Sequence, residues 1–144
     1  MLFRSKALIK SGKEENFDFK ILEATEYINK KQKVILVGEI EKYFGGNIEG
    51  KKIAMWGLAF KANTDDIREA SSLDNIELLL EKGAQVVAYD AIAEENVRKI
   101  LGDKIEYAKD MYSALEDADC LLIATEWSEF KNPNFELKIG RAHV

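Results

Sequence analysis

The strongest constraint on the fold is an alternation of short apolar runs with amphipathic helical segments, which begins near residue 51. The first run, KIAMWGLAF, is almost continuously apolar, as a strand buried on both faces would be. A helical pattern follows in which Leu73, Ile76, Leu79 and Leu80 share one side, and Gly83 ends it. Alternating strands and helices predict right-handed crossovers and a parallel sheet.

The remaining segments continue this alternation. QVVAYD predicts a second strand and AEENVRKIL a second helix, which Gly102 ends. A short strand IEY, a helix MYSALEDA opened by Asp110, and a strand CLLIATEW follow. The fold class is therefore α/β, with a Rossmann-like parallel sheet flanked by helices.

The segment before the sheet has a different pattern. Apolar residues at helical spacing predict one long amphipathic helix from Phe17 to Phe44, ended by Gly45 and Gly46. Such a helix would be about 40 Å long, more than a small domain can cover. We expect it either to connect two domains or to pack against another chain.

Composition excludes several classes of partner and site. The net charge of −5 argues against a nucleic-acid groove and against an anionic membrane surface, because both favour a basic face. No stretch approaches the roughly 20 apolar residues of a membrane span, and the N-terminus has no secretory signal. The single cysteine excludes an internal disulfide and a multi-cysteine zinc site. We expect a cytoplasmic protein.

The stretch GLAFKANTDDIREASS, which follows the first strand, contains the candidate binding site. Ligands of open α/β sheets bind beyond the carboxyl ends of the strands, where Gly57 would let the backbone turn closely. Lys61 offers a compact charge for a phosphate or carboxylate, and Arg68, seven residues later, offers a planar fork for a second phosphate. The alternative is that the acidic residues between and beside them neutralise both cations in a solvated turn, and the spacing leaves this open.

Other candidate residues are better explained structurally. The dinucleotide fingerprint G-x-G-x-x-G is absent, so Asp90, placed where a ribose-binding acid would stand, more simply begins a loop. Cys120 begins an apolar strand without a basic neighbour, as a structural thiol would. His143 lies one residue from the end and is a poor candidate for metal binding or acid–base work. No catalytic or metal-binding residue is predicted.

Several of these strings resemble one enzyme family. GKKIAMWGLAFKANTDDIREASS, GAQVVAYDAIA and DADCLLIATEWSEFKNPNFE resemble the C-terminal part of the UDP-glucose 6-dehydrogenases, within the nucleotide-sugar dehydrogenases. ILEATEYINKKQKVILVGEIEKYFGG resembles the helix that joins the two halves of these enzymes. The resemblance spans Lys6 to Lys138, with departures at Ala62 and Ser71, where many relatives have proline.

The resemblance implies a function and roles for three residues. Enzymes of this family oxidise UDP-glucose to UDP-glucuronate with two NAD, through a cysteine nucleophile. By resemblance, Lys61 and Phe60 bind the nucleotide sugar, and Arg68 binds the NAD that reaches across from the other domain. Residues 6–48 would form a connecting and dimerisation helix region, which implies a homodimer. Residues 49–138 would form most of a UDP-binding domain.

The family pattern extends beyond these 144 residues. The N-terminal dinucleotide domain, the GGSCFPKD segment with the cysteine and the final DGR are not among them, so we expect a fragment truncated at its C-terminus and inactive alone. LFRS and IGRAHV match translations of the two ends of a sequencing adapter, so we expect residues 1–5 and 139–144 to be non-native tails.

Two alternatives to this function remain. One is a sibling enzyme that acts on UDP-N-acetylmannosamine or GDP-mannose. The other, of a different class, is a stand-alone nucleotide-binding or dimerisation module without catalysis.

Overall fold

The structure, a computed structural model, describes residues 2–135, with side chains from Ser5 onward. Backbone contacts divide the chain into two compact units, separated between Ile35 and Leu36. The predicted domain limits, 6–48 and 49–138, stay predictions. His143 and the predicted tail 139–144 lie outside the described residues.

The first unit is a pair of helices, α1 (Leu2–Glu14) and α2 (Lys20–Lys33). Ser5 Oγ donates to Glu26 Oε1 at 2.8 Å, and Lys13 Nζ lies 3.0 Å from Glu23 Oε1. Because the earlier residue of α1 contacts the later of these two residues of α2, the two helices run antiparallel. None of the residues of α2 is buried.

The predicted single helix from Phe17 to Phe44 is divided in two, which corrects this detail of the sequence analysis. After α2 the backbone turns at Val34 (φ −110°, ψ 12°), and α3 (Ile35–Tyr43) begins. Four consecutive apolar residues, 34–37, span the break. The helical spacing of apolar residues is therefore preserved across it, and the sequence pattern gives no sign that the helix ends. β-Branched residues such as Val34 and Ile35 also favour helix less strongly than unbranched ones.

The second unit is a four-stranded parallel sheet with strand order β3-β2-β1-β4. This arrangement confirms the predicted α/β fold class. The strands are β1 (Lys52–Trp56), β2 (Gln85–Tyr89), β3 (Glu106–Tyr107) and β4 (Cys120–Ile123). The helices after α3 are α4 (Ser71–Glu81), α5 (Glu94–Leu101) and the short α6 (Ser128–Lys131).

The register brings the carboxyl ends of the three longer strands together at one end of the sheet. Trp56, the last residue of β1, pairs with Tyr89 of β2 and with Ile123 of β4. The loops that follow these strands therefore leave the sheet side by side. The candidate binding stretch is the first of these loops.

Each face of the sheet packs against its own apolar cluster. Ile53 and Met55 belong to the larger cluster, to which α3 contributes Val37 and Ile40. Trp56, on the other face, is completely buried and donates its indole N–H to the Met111 carbonyl at 2.7 Å. Aromatic side chains from the end of the described chain complete this second cluster, which includes Trp127 and Phe130 and has Phe135 stacked on Trp56.

The predicted helix over residues 111–118 is reduced to a single 3₁₀ turn, Ser113–Leu115. Asp110 does open the turn, since its Oδ1 accepts hydrogen bonds from the amides of Tyr112 and Ser113. Asp117 then adopts a left-handed conformation (φ 57°), which ends helical geometry before a second turn forms. The predicted strand CLLIATEW is likewise shorter, because the chain leaves the sheet after Ile123.

Replacing Gly57 with alanine should destabilise the fold more than the same change at Gly46. Both glycines have left-handed φ (+92° and +94°), but a Cβ at Gly57 would collide with Thr125, whereas one at Gly46 would meet nothing within 4 Å. We expect Gly46→Ala to lower the free energy of unfolding by about 1 kcal/mol. Gly57→Ala should cost roughly 3 kcal/mol, because overpacking adds to the backbone strain. Urea denaturation of both variants tests this, and equal losses would contradict it.

Candidate functional site

The candidate site is built on the loop Gly57–Lys61, which leaves the carboxyl end of β1. The Gly57 amide donates to the Tyr89 carbonyl at 2.8 Å, and the Ala124 amide donates to the Trp56 carbonyl at 2.8 Å. The start of the loop is thus joined to the ends of both neighbouring strands. Only a glycine at position 57 leaves room for Thr125.

Asp90 lies beneath this loop and is only 3% exposed. Its Oδ2 accepts hydrogen bonds from the amides of Leu58 at 2.7 Å and Ala59 at 3.2 Å, and from the indole N–H of Trp127 at 3.3 Å. These donors come from two different loops at the same sheet edge. The sequence analysis missed these contacts, because nothing local to Asp90 indicates them.

The second oxygen of Asp90 binds the turn that follows β2. Oδ1 accepts the amides of Ile92 at 2.9 Å and Ala93 at 2.8 Å. This geometry agrees with the interpretation of Asp90 as a residue that begins a loop. Together the two oxygens accept hydrogen bonds from backbone amides on both sides of the site.

Hydroxyl groups bind the carbonyls of the same loop. Ser72 Oγ, from the first turn of α4, donates to the Leu58 carbonyl at 2.6 Å. Thr125 Oγ1 donates to the Ala59 carbonyl at 3.2 Å. The Phe60 amide donates in turn to the Asp66 carbonyl at 2.8 Å. Every backbone amide from Gly57 to Phe60 therefore has a partner inside the protein.

The loop ends on two exposed side chains, Phe60 and Lys61, both of which the sequence analysis selected. Phe60 is 54% exposed, so much of its ring faces solvent. Lys61 is also exposed, and its ammonium forms no hydrogen bond or ion pair with any residue that the structure describes. A hydrogen-bonded backbone thus presents an aromatic ring and an ammonium without an ion-pair partner to solvent.

Arg68 is held by Asp66. The guanidinium donates from Nε to Asp66 Oδ1 at 2.9 Å and from an Nη nitrogen to Oδ2 at 2.7 Å. The Arg68 side chain nevertheless stays 78% exposed. Of the two explanations that the spacing left open, neutralisation by a neighbouring acid therefore describes Arg68 but not Lys61.

This pair shifts the ionisation of the carboxyl group. Hydrogen bonds from the side chain and the backbone of Arg68 hold the pKa of Asp66 at about 2, below its ordinary 3.8. Because the folded pKa is lowered, the contribution of the pair to stability is present above the ordinary carboxyl pKa and is lost as the pH falls through about 2. The pair therefore remains ionised throughout the neutral range.

An open cavity of about 650 Å³ adjoins this pair. It is lined by the segment Thr64–Arg68 and by Asn96, Lys99 and Ile100 of α5. Asn96 Nδ2 donates to both the carbonyl and the carboxylate of Asp65 at 3.1 Å. Asn96 thereby joins α5 to the loop that carries Arg68, a contact that the sequence analysis did not predict.

Cys120 lies away from this edge, at the start of β4. Its side chain is half-buried, and burial raises the pKa of its thiol, which makes it a poor nucleophile. Within residues 2–135 no cluster of histidine, cysteine or acidic side chains has the arrangement of a metal site. In the same part of the chain no helix has the length and apolar character needed to cross a membrane.

Removing Arg68 should return the pKa of Asp66 towards its ordinary value. We expect Arg68→Ala to raise this pKa from about 2 towards 3.8, because the largest cause of the shift is the hydrogen bond from the Arg68 side chain. NMR titration of the Asp66 carboxyl carbon measures the change. Lys61→Ala is the control and should raise the pKa much less, since Lys61 acts on Asp66 only through a weaker charge interaction. Equal shifts in the two variants would refute the assignment.

Comparison with known proteins places this geometry in a family. The model of the UDP-glucose/GDP-mannose dehydrogenase family, UDP binding domain, matches residues 54–141. The UDP-glucose 6-dehydrogenase TuaD of Bacillus subtilis is 43% identical over 125 residues, which are 87% of this chain and 27% of TuaD. The UDP-glucose 6-dehydrogenase of Pseudomonas aeruginosa is 39% identical over 136 residues, covering 91% of this chain and 30% of that enzyme.

Solved structures agree with these matches. A UDP-glucose dehydrogenase from Pyrobaculum islandicum superposes with a TM-score of 0.85 at 32% identity, over 91% of this chain and 30% of that one. A UDP-N-acetyl-mannosamine dehydrogenase from Staphylococcus aureus reaches a TM-score of 0.67 at 31% identity, over 89% and 28%. The chain spans less than a third of the length of these relatives. Because the family model matches well over half of its residues, the chain belongs to the UDP-glucose/GDP-mannose dehydrogenase family, within which it carries the UDP-binding domain.

Proposed function

We propose that this chain is part of a UDP-glucose 6-dehydrogenase, which oxidises UDP-glucose to UDP-glucuronate with two NAD. In this proposal the chain supplies the side of the cleft that binds the nucleotide sugar. The match to a UDP-binding domain and relatives named UDP-glucose 6-dehydrogenase support it. Among the solved structures, the UDP-glucose dehydrogenase and the UDP-N-acetyl-mannosamine dehydrogenase are almost equally identical to this chain, at 32% and 31%, but their TM-scores are 0.85 and 0.67. The closer structural match supports UDP-glucose as the substrate.

The observation that carries this proposal is the unpaired ammonium of Lys61 at the end of a rigid loop. A diphosphate is the most highly charged part of a nucleotide sugar, and a lysine is a compact partner for it. The loop is ordered before the ligand arrives, so little additional ordering is required on binding. Phe60, exposed beside Lys61, offers a flat apolar surface to the same ligand.

Arg68 is proposed to contact the NAD bound by the rest of the enzyme. Asp66 fixes one edge of the guanidinium and leaves its remaining N–H groups exposed to solvent. A fork with free donors and a fixed orientation fits a phosphate of the cofactor. When bound, NAD supplies the hydride acceptor for the oxidation. The role of this chain is to orient the cofactor through Arg68.

The proposal assigns no catalytic residue to this chain. Cys120 is the only cysteine among the 144 residues, and its half-buried position with a raised thiol pKa suits a structural side chain. The nucleophile would belong to the remainder of the enzyme.

We also propose a homodimer that pairs through the helical region. Ile21 is 83% exposed and Ile28 is 56% exposed, although both lie on the amphipathic helix α2. A second copy of this chain would cover such residues. A monomer in sedimentation equilibrium would contradict this part of the proposal.

Lys61→Ala should abolish most UDP binding. We expect the Kd for UDP, measured by calorimetry on the 144-residue chain, to rise at least about tenfold, on the order of one charge-assisted hydrogen bond. Lys104→Ala is the matched control. Lys104 is an exposed lysine that precedes β3, so it lies at the amino ends of the strands, away from the loop that carries Lys61. Equal affinities of the two variants would argue against Lys61 as the diphosphate ligand. Binding by the wild-type chain alone would also favour a working binding module over an inert fragment.

The chain by itself should not oxidise UDP-glucose. We expect no increase in NADH absorbance when the purified chain is mixed with UDP-glucose and NAD, because it presents no activated cysteine. The Bacillus subtilis relative serves as the positive control in the same assay. Turnover by the chain that Cys120→Ser abolishes would contradict both this expectation and the structural role of Cys120.

A further inference from the structure

We propose that Asp90 acts as an internal anion that closes the backbone of the loop Gly57–Phe60 to phosphate and positions Lys61 to bind it instead. This inference rests on the proposed function, because it takes a nucleoside diphosphate to be the ligand. Asp90 is a positioning residue in this account, since it reaches the ligand only through the loop.

The loop Gly57–Phe60 lies where related folds bind phosphate. In dinucleotide-binding α/β folds, the turn after the first strand binds a pyrophosphate on its backbone amides. The corresponding amides of this chain, those of Leu58 and Ala59, already donate to Asp90 Oδ2. A carboxylate of the protein therefore accepts the backbone hydrogen bonds that such a motif would give to the anion of its ligand.

The neighbouring amides of the loop are occupied as well. Gly57 donates to the Tyr89 carbonyl, and Phe60 donates to the Asp66 carbonyl. A phosphate that bound the loop backbone would have to break these bonds or displace the carboxylate. Displacement would leave a buried charge without partners, which is strongly unfavourable.

Both oxygens of Asp90 accept hydrogen bonds. Five N–H groups donate to its two oxygens, from Leu58, Ala59, Ile92, Ala93 and the indole of Trp127. With these donors the carboxylate stays buried without a cation beside it. Hydrogen bonds to an ionised acceptor are stronger than neutral ones, so the loop is held in one position. Lys61 directly follows these hydrogen-bonded amides, and it is the first residue there whose side chain carries a charge that can bind a ligand.

The test compares Asp90→Asn with Asp119→Asn. An asparagine at position 90 presents an NH₂ group to some of the backbone amides. This group is itself a donor, so it cannot accept the hydrogen bonds that those amides donate. Asp119 is the matched control, because its carboxylate also joins separate segments, accepting the Lys52 amide at 2.9 Å and Lys51 Nζ at 3.2 Å. Asp119 precedes β4 and so lies at the amino ends of the strands, whereas the loop lies at their carboxyl ends.

Two readouts separate positioning from general stability. By NMR, hydrogen exchange at the Leu58 and Ala59 amides should be at least about tenfold faster in Asp90→Asn than in the wild type, beyond any change at core amides such as Ile53. By calorimetry, the Kd for UDP should rise about tenfold in Asp90→Asn. Asp119→Asn should leave both quantities unchanged. In a Lys61→Ala background, Asp90→Asn should weaken UDP binding less, because the two residues act through one contact.

A third measurement needs no variant, so it holds even where Asp90→Asn fails to fold. UDP and inorganic pyrophosphate are titrated into the wild-type chain while the backbone amide signals and the lysine side-chain signals are recorded. We expect the Lys61 side-chain signals to shift strongly, and we expect protection of the Leu58 and Ala59 amides to increase no more than protection at core amides such as Ile53. Protection of these two amides that increases much more than protection at core amides such as Ile53 would overturn the proposal, since it would mean that the backbone binds the phosphate.

The remaining outcomes are also decisive. Equal effects of Asp90→Asn and Asp119→Asn on UDP affinity would overturn the positioning role. If the wild-type chain binds neither UDP nor pyrophosphate, diphosphate binding by Lys61 in this chain is refuted and the chain is an inert fragment. In that case faster exchange of Leu58 and Ala59 in Asp90→Asn would still support the fixing of the loop by Asp90, and unchanged exchange would refute it.

Discussion

The buried carboxylate of Asp90 is the interaction on which the arrangement of the site depends. It accepts hydrogen bonds from N–H groups of the loop after β1, of the turn after β2 and of Trp127 beyond β4. A parallel sheet places the ends of its strands side by side but does not fix the loops that follow them. Asp90 provides that fixation, and the hydroxyls of Ser72 and Thr125 complete it by binding the loop carbonyls. Loop geometry, rather than sheet geometry alone, therefore positions the candidate residues.

The two cations near this loop, Arg68 and Lys61, have different surroundings. Arg68 is hydrogen-bonded to the carboxylate of Asp66, whose low pKa keeps the pair ionised. The ammonium of Lys61 forms no hydrogen bond or ion pair among residues 2–135 and acts on Asp66 only through a weaker charge interaction. A paired guanidinium is oriented but partly neutralised, and an unpaired ammonium retains its full attraction for an anion. The difference fits the proposed division of labour, in which Arg68 orients a cofactor phosphate and Lys61 binds the diphosphate of the nucleotide sugar.

Much of this architecture could be predicted from the sequence, for identifiable reasons. The apolar run that contains β1 and the helical spacing in α4 are periodic, so the α/β fold and the place of Lys61 at a strand end follow from the sequence. The break at Val34 could not be predicted, because the apolar residues around it continue the helical pattern. The inward orientation of Asp90 was missed for another reason: its partners at Leu58 and Trp127 are 32 and 37 residues away in sequence. Hydrogen bonds between distant segments leave no periodic mark.

The placement of the aromatic residues has a spectroscopic consequence. Both tryptophans of the chain, Trp56 and Trp127, belong to the cluster on one face of the sheet, and the indole of Trp127 donates to Asp90. The helical pair α1 and α2 contains no tryptophan. Intrinsic tryptophan fluorescence therefore monitors the sheet and its binding loop, while circular dichroism at helical wavelengths also senses α1 and α2. The two signals together distinguish melting of the helical pair from opening of the sheet and the loop after β1.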